Sequence, residues 1–99
     1  MEKKFVAYSS SEIETHLKSL KEWEYSESKK VITKTFTFKG YYKTIAFVNS
    51  IAWLAQRDCH HPDLFISFGK CVIELTTHDV DGISYKDFEL AEKIDSIYF

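Results

Sequence analysis

Two stretches of alternating side chains flank a longer stretch with helical spacing, and this order limits the folds open to the chain. Residues 31–39 and 64–77 alternate as half-buried strands do, whereas residues 41–58 repeat apolar residues as a helix does. The two faces of the first strand are Ile32, Phe36 and Phe38 on one side and Thr33, Thr35 and Thr37 on the other. A long helix between two β segments predicts a mixed domain.

Residues 64–77 have the pattern of a β-hairpin. Gly69-Lys70 fits a two-residue turn with glycine in the first central position. That turn predicts the pairs Leu64–Leu75, Ile66–Ile73 and Phe68–Cys71. All six side chains would share one face, so the turn and the apolar pattern agree on the register.

The remaining elements complete a symmetrical order. Ser9-Ser10-Ser11 offers N-cap oxygens for a helix over residues 10–20, and residues 23–28 would pair with 31–39 through a turn at 28–30. Ser84 begins the last helix, with Asp87 as the carboxylate of a capping box. The order α-β-β-α-β-β-α predicts an α+β fold, a four-stranded antiparallel sheet with three helices packed on one face.

With 99 residues the chain forms one domain, 1–99, with a thin core. The helix over 41–58 carries two neighbouring apolar stripes, Ile45, Val48, Ala52 and Ala55 beside Phe47, Ile51 and Leu54. A surface helix needs one such stripe. The wide apolar arc therefore predicts a homo-oligomer, and the alternative is that the N-terminal segment covers the helix.

The distribution of charged and apolar residues argues against nucleic-acid binding, membrane spans and a signal peptide. Thirteen Lys and Arg against fifteen Asp and Glu give a net charge of −2, and the cations are scattered, so we expect no nucleic-acid partner. No apolar run approaches the ~20 residues of a membrane span. Because no apolar stretch follows Met1–Phe5, we expect no signal peptide and a cytoplasmic protein.

Three of the four histidines occur at the ends of predicted elements. His60 and His61 follow the long helix, and His78 follows the fourth strand. Both segments leave the same end of the second hairpin, so the three imidazoles can share a cleft and exchange protons near neutral pH. His16, on the first helix, is interpreted as a solvated residue.

Two other chemistries remain open at this cluster. A three-histidine metal site could recruit Asp58, Asp63 or Asp79, but adjacent histidines seldom bind one ion, and we predict no metal. Cys59 beside the histidines could act as a nucleophile or a ligand, while Cys71 is interpreted as a buried strand thiol.

A longer motif contains these residues. His60-His61-Pro62, five residues, Phe68, nine residues, His78, eight residues and Asp87 together resemble the signature of the pterin-4a-carbinolamine dehydratase family, also called the dimerization-cofactor family. The segments 36–38 and 77–84 are similar to it as well. The resemblance extends over about residues 10–95.

The resemblance implies roles for individual residues. The catalytic residues would be His60, His61 and His78; the substrate-binding residues Pro62, Thr77, Asp79 and Val80; the supporting residues Gln56, Phe68 and Asp87. Gln56 stands where the family usually has an ionisable residue, and Leu64 where many members have tryptophan. Asp87 is equally compatible with a capping role.

The implied reaction is removal of water from 4a-hydroxytetrahydropterin to give quinonoid dihydropterin, a step in tetrahydrobiopterin recycling. It requires no cofactor, and the implied partners are copies of the same chain in a homodimer or homotetramer and an aromatic amino acid hydroxylase. One alternative is an oligomeric protein that stabilises a partner's dimer. Another is a related pterin enzyme of molybdenum-cofactor or folate metabolism.

Overall fold

The predicted order of elements is present in the computed structural model of the protein, which describes residues 6–98. The elements are α1 (Ser10–Leu17), β1 (Glu24–Ser26), β2 (Val31–Thr37), α2 (Tyr41–Asp58), β3 (Asp63–Ser67), β4 (Lys70–Leu75), a 3₁₀ turn (His78–Val80) and α3 (Tyr85–Ser96). The α+β fold with a four-stranded antiparallel sheet and three helices is confirmed. The expectation drawn from Met1–Phe5 lies outside the described residues.

Capping boxes begin the first and the last helix. The Ser9 side chain accepts from the backbone N–H of Glu12, and the Glu12 carboxylate accepts in return from the N–H of Ser9. Ser84 and Asp87 form the same box at α3, as the sequence predicted. α1 ends at Leu17 rather than at residue 20. In residues 18–20 each backbone N–H donates to the carbonyl three residues earlier, as in a 3₁₀ turn, so the α-helical pattern stops.

The sheet has the strand order β1-β2-β4-β3 with every neighbouring pair antiparallel. β2 and β4 are its centre, with Phe36 opposite Cys71 and Ile32 opposite Leu75. These four side chains are fully or almost fully buried against the helices. β3 lies at one edge, and its connection to α2 contains the paired histidines.

The predicted register of the second hairpin is wrong by two residues. Leu64 lies opposite Ile73 and Ile66 opposite Cys71, so Phe68-Gly69 forms the turn. A shift of two keeps every side chain on its face, which is why the apolar pattern did not reveal the error. Contacts outside the hairpin hold this turn. The Phe38 N–H donates to the Gly69 carbonyl at 2.8 Å, and a Cβ on Gly69 would lie 2.7 Å from the Phe38 carbonyl oxygen.

α2 covers the sheet with the stripe that contains Phe47, Ile51 and Leu54, all buried. In the second stripe, Ile45 and Val48 are half-buried and Ala52 is exposed. Thr44 is buried at the start of the helix, where its hydroxyl lies 2.9 Å from the Gly40 carbonyl and 3.0 Å from the Phe68 carbonyl. No helix within residues 6–98 is long and apolar enough to cross a membrane.

Candidate active site

The end of α2 directs the first histidine toward α3. Cys59 has a left-handed backbone conformation, with φ of 54°. Its N–H donates to the Gln56 carbonyl and the His60 N–H to the Ala55 carbonyl, which together make a Schellman motif. Glycine usually occupies the left-handed position because a Cβ is disfavoured there. Cys59 thus holds a strained turn immediately before His60.

His60 contacts a carboxylate that is completely buried. The His60 Nε2 lies 2.6 Å from Oδ1 of Asp87, whose side chain is 0% exposed, while 11% of the histidine side chain is exposed. The other carboxylate oxygen of Asp87 accepts from the Thr77 hydroxyl at 2.7 Å and from the Ser84 N–H at 3.0 Å. Which atom donates between His60 and Asp87 depends on the tautomer of the imidazole, and a carboxylate, which can only accept, requires the proton on Nε2.

A second hydroxyl extends this network. Thr77 Oγ1 and Ser84 Oγ are 2.7 Å apart, and because the Thr77 proton is directed at Asp87, Ser84 is the donor in this pair. Thr77 and Ser84 are both buried. Every polar side-chain atom that is fully buried within residues 6–98 has a hydrogen-bond partner. The carboxylate therefore has one fixed set of donors, and the position of His60 is set by it.

The structure brings the three histidines of the motif to the wall of one cavity. This cavity of about 170 Å³ is lined by Cys59, His60, His61, Thr76, Thr77, His78, Asp79 and Lys86. His61 and His78 are exposed, unlike His60. The loop that carries His78 is closed by hydrogen bonds between the backbones of Thr77 and Gly82, which also form an isolated β-bridge.

Other residues of the motif lie farther from the histidines. Phe68 is in the turn at the opposite end of the second hairpin, where it is 69% exposed and its ring stacks near that of Tyr41. Gln56 is exposed in the last turn of α2. Pro62 directly follows His61 in the chain, and Val80 directly follows Asp79. Both are half-buried.

Two residues of the cavity wall, Thr76 and Lys86, were not predicted from the sequence. Lys86 immediately precedes Asp87 in the first turn of α3, and Thr76 precedes Thr77. Neither belongs to the motif. Their only signal in the sequence is adjacency to a motif residue.

The structure also locates the two cysteines and the fourth histidine, and it bears on the alternative of a metal site. Cys71 is buried, as predicted, and burial raises the pKa of its thiol. Cys59 is exposed and lines the cavity. In the described part of the chain, no three His, Cys, Asp or Glu side chains converge as metal ligands would. His16 is exposed, as expected, but its ring stacks on Tyr8 at 4.7 Å between centroids.

Comparison with known proteins identifies the family to which the chain belongs. The family model described as Pterin 4 alpha carbinolamine dehydratase matches residues 6–97. The chain belongs to the pterin-4a-carbinolamine dehydratase family. The motif that suggested this family and the match over nearly the full chain agree.

Relatives and solved structures of the pterin-4a-carbinolamine dehydratase family support the assignment. A protein of Nitrosospira multiformis, provisionally named pterin-4-alpha-carbinolamine dehydratase, is 44% identical over 90 residues, which cover 91% of this chain and 78% of that protein. One of Hydrogenovibrio crunogenus with the same provisional name is 42% identical over 85 residues, 86% of this chain and 75% of that protein.

The fold agrees with two solved structures. The crystal structure of a transcriptional coactivator/pterin dehydratase from Brucella melitensis superposes with a TM-score of 0.90 at 27% identity, covering 94% of this chain and 99% of that one. A pterin dehydratase-like protein identified as a RuBisCO assembly factor in the alpha-carboxysome gives 0.66 at 21% identity, covering 75% and 86%. The second similarity concerns the fold alone.

Proposed function

We propose that this protein is a dehydratase that removes water from a 4a-hydroxytetrahydropterin to give a quinonoid dihydropterin. The observation that carries the proposal is the cavity lined by three histidines, one of which is anchored to a buried carboxylate. Membership of the pterin-4a-carbinolamine dehydratase family supports the same reaction.

The reaction needs two proton transfers and no electron transfer. One group must protonate the 4a-hydroxyl so that the carbon–oxygen bond breaks and water leaves, and another must take a proton from a ring nitrogen. The bond electrons of that N–H form the new double bond, so the net change is loss of one water. The step is redox-neutral, and therefore it requires no redox cofactor.

We assign the nitrogens of His60 from its hydrogen bond to an ionised Asp87. Because Nε2 donates to the carboxylate, Nδ1 is the nitrogen that can accept a proton from the substrate. Asp87 then stabilises the imidazolium that results. His60 is thus the proposed base, while His61 and His78, both exposed at the rim, supply and exchange the proton that the departing hydroxyl requires.

The polar groups beside the histidines suit a heterocycle that is rich in nitrogen donors and acceptors. Thr77 and Asp79 line the cavity. Pro62 and Val80 adjoin it in the chain and complete the proposed pterin pocket. In a cell, an aromatic amino acid hydroxylase would supply the substrate, and the reaction would serve tetrahydrobiopterin recycling in the cytoplasm.

Replacement of His61 or His78 by alanine tests the proposal. We expect each change to lower the rate of dehydration by at least about tenfold, the lower part of what general acid–base catalysis contributes. The measurement is stopped-flow absorbance of a 4a-hydroxytetrahydropterin generated in the syringe. His16→Ala is the matched control, since His16 lies on α1 and should leave the rate unchanged. Unaltered rates in both His61 and His78 variants would refute the assigned roles.

A second function, self-association, is favoured by one specific feature. β3 is an edge strand, yet Phe65 and Ile66 on its two faces are 54% and 43% exposed. Edge strands with exposed apolar side chains pair readily with other strands. We propose that two copies join along β3, and that the exposed side of α2, which includes Trp53, can join two such dimers into a homotetramer.

The same stopped-flow measurement separates an enzyme from a protein whose only role is to stabilise a partner's dimer. An interaction protein without enzymatic activity would not accelerate dehydration above the rate in buffer. Acceleration that disappears in the histidine variants requires a catalytic site.

A further inference from the structure

The cavity that contains the three histidines is small and open on one side for a planar bicyclic ligand. Its volume is about 170 Å³, whereas sites for small molecules usually measure about 300–1,000 Å³. Its described lining residues include no Phe, Tyr or Trp. Proteins commonly hold flat nitrogen heterocycles by stacking them on such rings. A single chain therefore supplies the proton-transfer groups of the site and only part of its wall.

An exposed aromatic pair lies at the opposite end of the second hairpin. The rings of Tyr41 and Phe68 stack with 6.4 Å between centroids, and both side chains are exposed. Tyr41 begins α2, so the pair lies on the side of the sheet that the helices cover, where His60 also contacts α3. Phe68 is six residues from Pro62, or about 20 Å along an extended strand. It cannot reach the histidines of its own chain.

The free edge of β3 favours one register of pairing between two copies. Ser67 and Lys70 flank the two-residue turn, and a pair in this position is hydrogen-bonded. Bonded pairs alternate along the ladder, so Leu64 and Ile66 direct their backbone groups at the free edge. Identical strands related by a twofold axis perpendicular to the sheet pair antiparallel. A contact centred on Phe65 overlaps all five residues of β3, and any other register that joins the outward groups overlaps fewer.

In this register the turn of one copy lies beside the histidine cavity of the other. Phe68 of the partner falls opposite Pro62, at about 5 Å between Cα atoms. Pro62 directly follows His61, which lines the cavity. A twofold axis perpendicular to the sheet keeps the helices of both copies on the same side. The partner's Tyr41 and Phe68 are thus brought to the side of the sheet on which the cavity lies.

We propose that Phe68 of the partner copy, supported by the partner's Tyr41, completes the pterin site and stacks on the bound ring. The inference rests on the proposed pterin substrate and on pairing along β3, and it adds a binding residue that belongs to the other chain. Each dimer then holds two equivalent composite sites. A monomer keeps all three histidines but binds the substrate weakly.

Equilibrium binding of a dihydropterin tests the shared wall without turnover. Phe68→Ala should weaken binding by about fivefold or more, as expected for loss of one stacked ring. Phe65→Lys opposes pairing along β3 and should weaken binding to a similar degree. Adding Phe68→Ala to Phe65→Lys should then weaken binding no further. Tyr42→Ala is the control, since Tyr42 is exposed but turned by about 100° around α2 from Tyr41 and should leave the affinity unchanged.

Mixed dimers give an independent test. Phe68→Ala and His61→Ala chains are coexpressed so that dimers assemble at random, and dehydration is measured at substrate concentrations below KM. Each hybrid has one site with His61 and the partner's Phe68 both present, so the rate should exceed the mean of the two separate variants at least about twofold. Coexpressed His61→Ala and His78→Ala chains are the matched control. Both histidines line the cavity of one chain, so every hybrid site lacks one of them and the rate should stay at the mean.

The outcomes separate this inference from the proposed function. A mixture of Phe68→Ala and His61→Ala chains that stays at the mean would overturn the inference while dehydration by the natural protein still proceeds. Natural affinity in Phe68→Ala, or an equal loss on adding Phe68→Ala to the natural protein and to Phe65→Lys, would overturn it as well. A natural protein that neither binds a dihydropterin nor accelerates dehydration would overturn both the inference and the proposed function.

Discussion

Asp87 accepts hydrogen bonds from three separate parts of the chain. The donors are His60 after α2, Thr77 after β4, and the backbone of Ser84 at the start of α3. The capping carboxylate of the last helix is therefore also the group that contacts the His60 ring and, in the proposed mechanism, sets its tautomer. The helix cap uses Oδ2 of Asp87, and the contact with the motif residue His60 uses Oδ1.

Asp87→Asn separates these roles. An amide nitrogen would face donors where a carboxylate oxygen now accepts, so we expect the free energy of unfolding to fall by about 1–3 kcal/mol. We also expect dehydration to slow by at least about tenfold, because His60 would no longer be held with its proton on Nε2. Urea denaturation gives the stability, and ¹⁵N chemical shifts of the His60 ring report the tautomer directly.

Asp81→Asn is the control for this substitution. Its carboxylate is 85% exposed and pairs with Lys30 at the surface, so the same chemical change should alter stability and rate little. A His60 ring whose nitrogen shifts are identical in the natural protein and in Asp87→Asn would contradict the positioning role.

At the scale of elements, one buried hydroxyl joins α2 to the turn of the second hairpin. The Thr44 hydroxyl is shared between the Gly40 carbonyl and the Phe68 carbonyl. The second contact is between segments far apart in sequence, and with the Phe38–Gly69 bond it holds the turn at Phe68-Gly69.

Thr44→Val tests this contact. Valine has nearly the same shape, so the loss is confined to the hydrogen bonds, and we expect a fall of about 1–2 kcal/mol in the free energy of unfolding. Amide hydrogen exchange should also quicken at Gly69 and Lys70 more than in β1. Ser50→Ala removes the equivalent bond to the preceding turn on the exposed side of the same helix and should cost much less. Equal losses in the two variants would show that the bond to Phe68 adds nothing.

The same contacts explain what the sequence could and could not predict. Alternation and capping residues are local signals, and they predicted α2 over 41–58, the start of α3 at Ser84 and the order of all the elements. The hairpin register was missed because Phe38 and Thr44 hold the turn, and neither is near it in sequence. The spacing of His60, His61 and His78 predicted a shared cleft, but the Thr77–Ser84 pair and Lys86 at the cavity wall needed the three-dimensional structure.

For the molecule as a whole, the apolar surface is unevenly distributed. Phe65 is exposed on the side of the sheet opposite the helices, in a row with Val72 and Thr35 across the neighbouring strands. Only Phe65 of these three lies on the unpaired edge. Joining of two copies along β3 would cover it and satisfy the free backbone groups of that strand.

Phe65→Lys should therefore convert the assembly to smaller species, since a charge on an edge strand opposes pairing. Sedimentation velocity over a range of protein concentrations measures the mass. Thr35→Lys places the same side chain in the same row but inside the sheet, and it should leave the mass of the assembly unchanged. A natural protein that stays monomeric at every concentration, or equal masses for it and Phe65→Lys, would contradict pairing through β3.

Because the left-handed turn at Cys59 directly follows α2, the length of that helix determines the direction in which His60 points. Thr44 fixes one end of the helix to the hairpin turn, and the Schellman motif at Cys59 fixes the direction in which His60 leaves the other end. Each residue added or removed between them would rotate the exit by about 100° around the helix axis. His60 would then point away from Asp87, so an insertion or deletion between these two anchors should break the contact between His60 and Asp87.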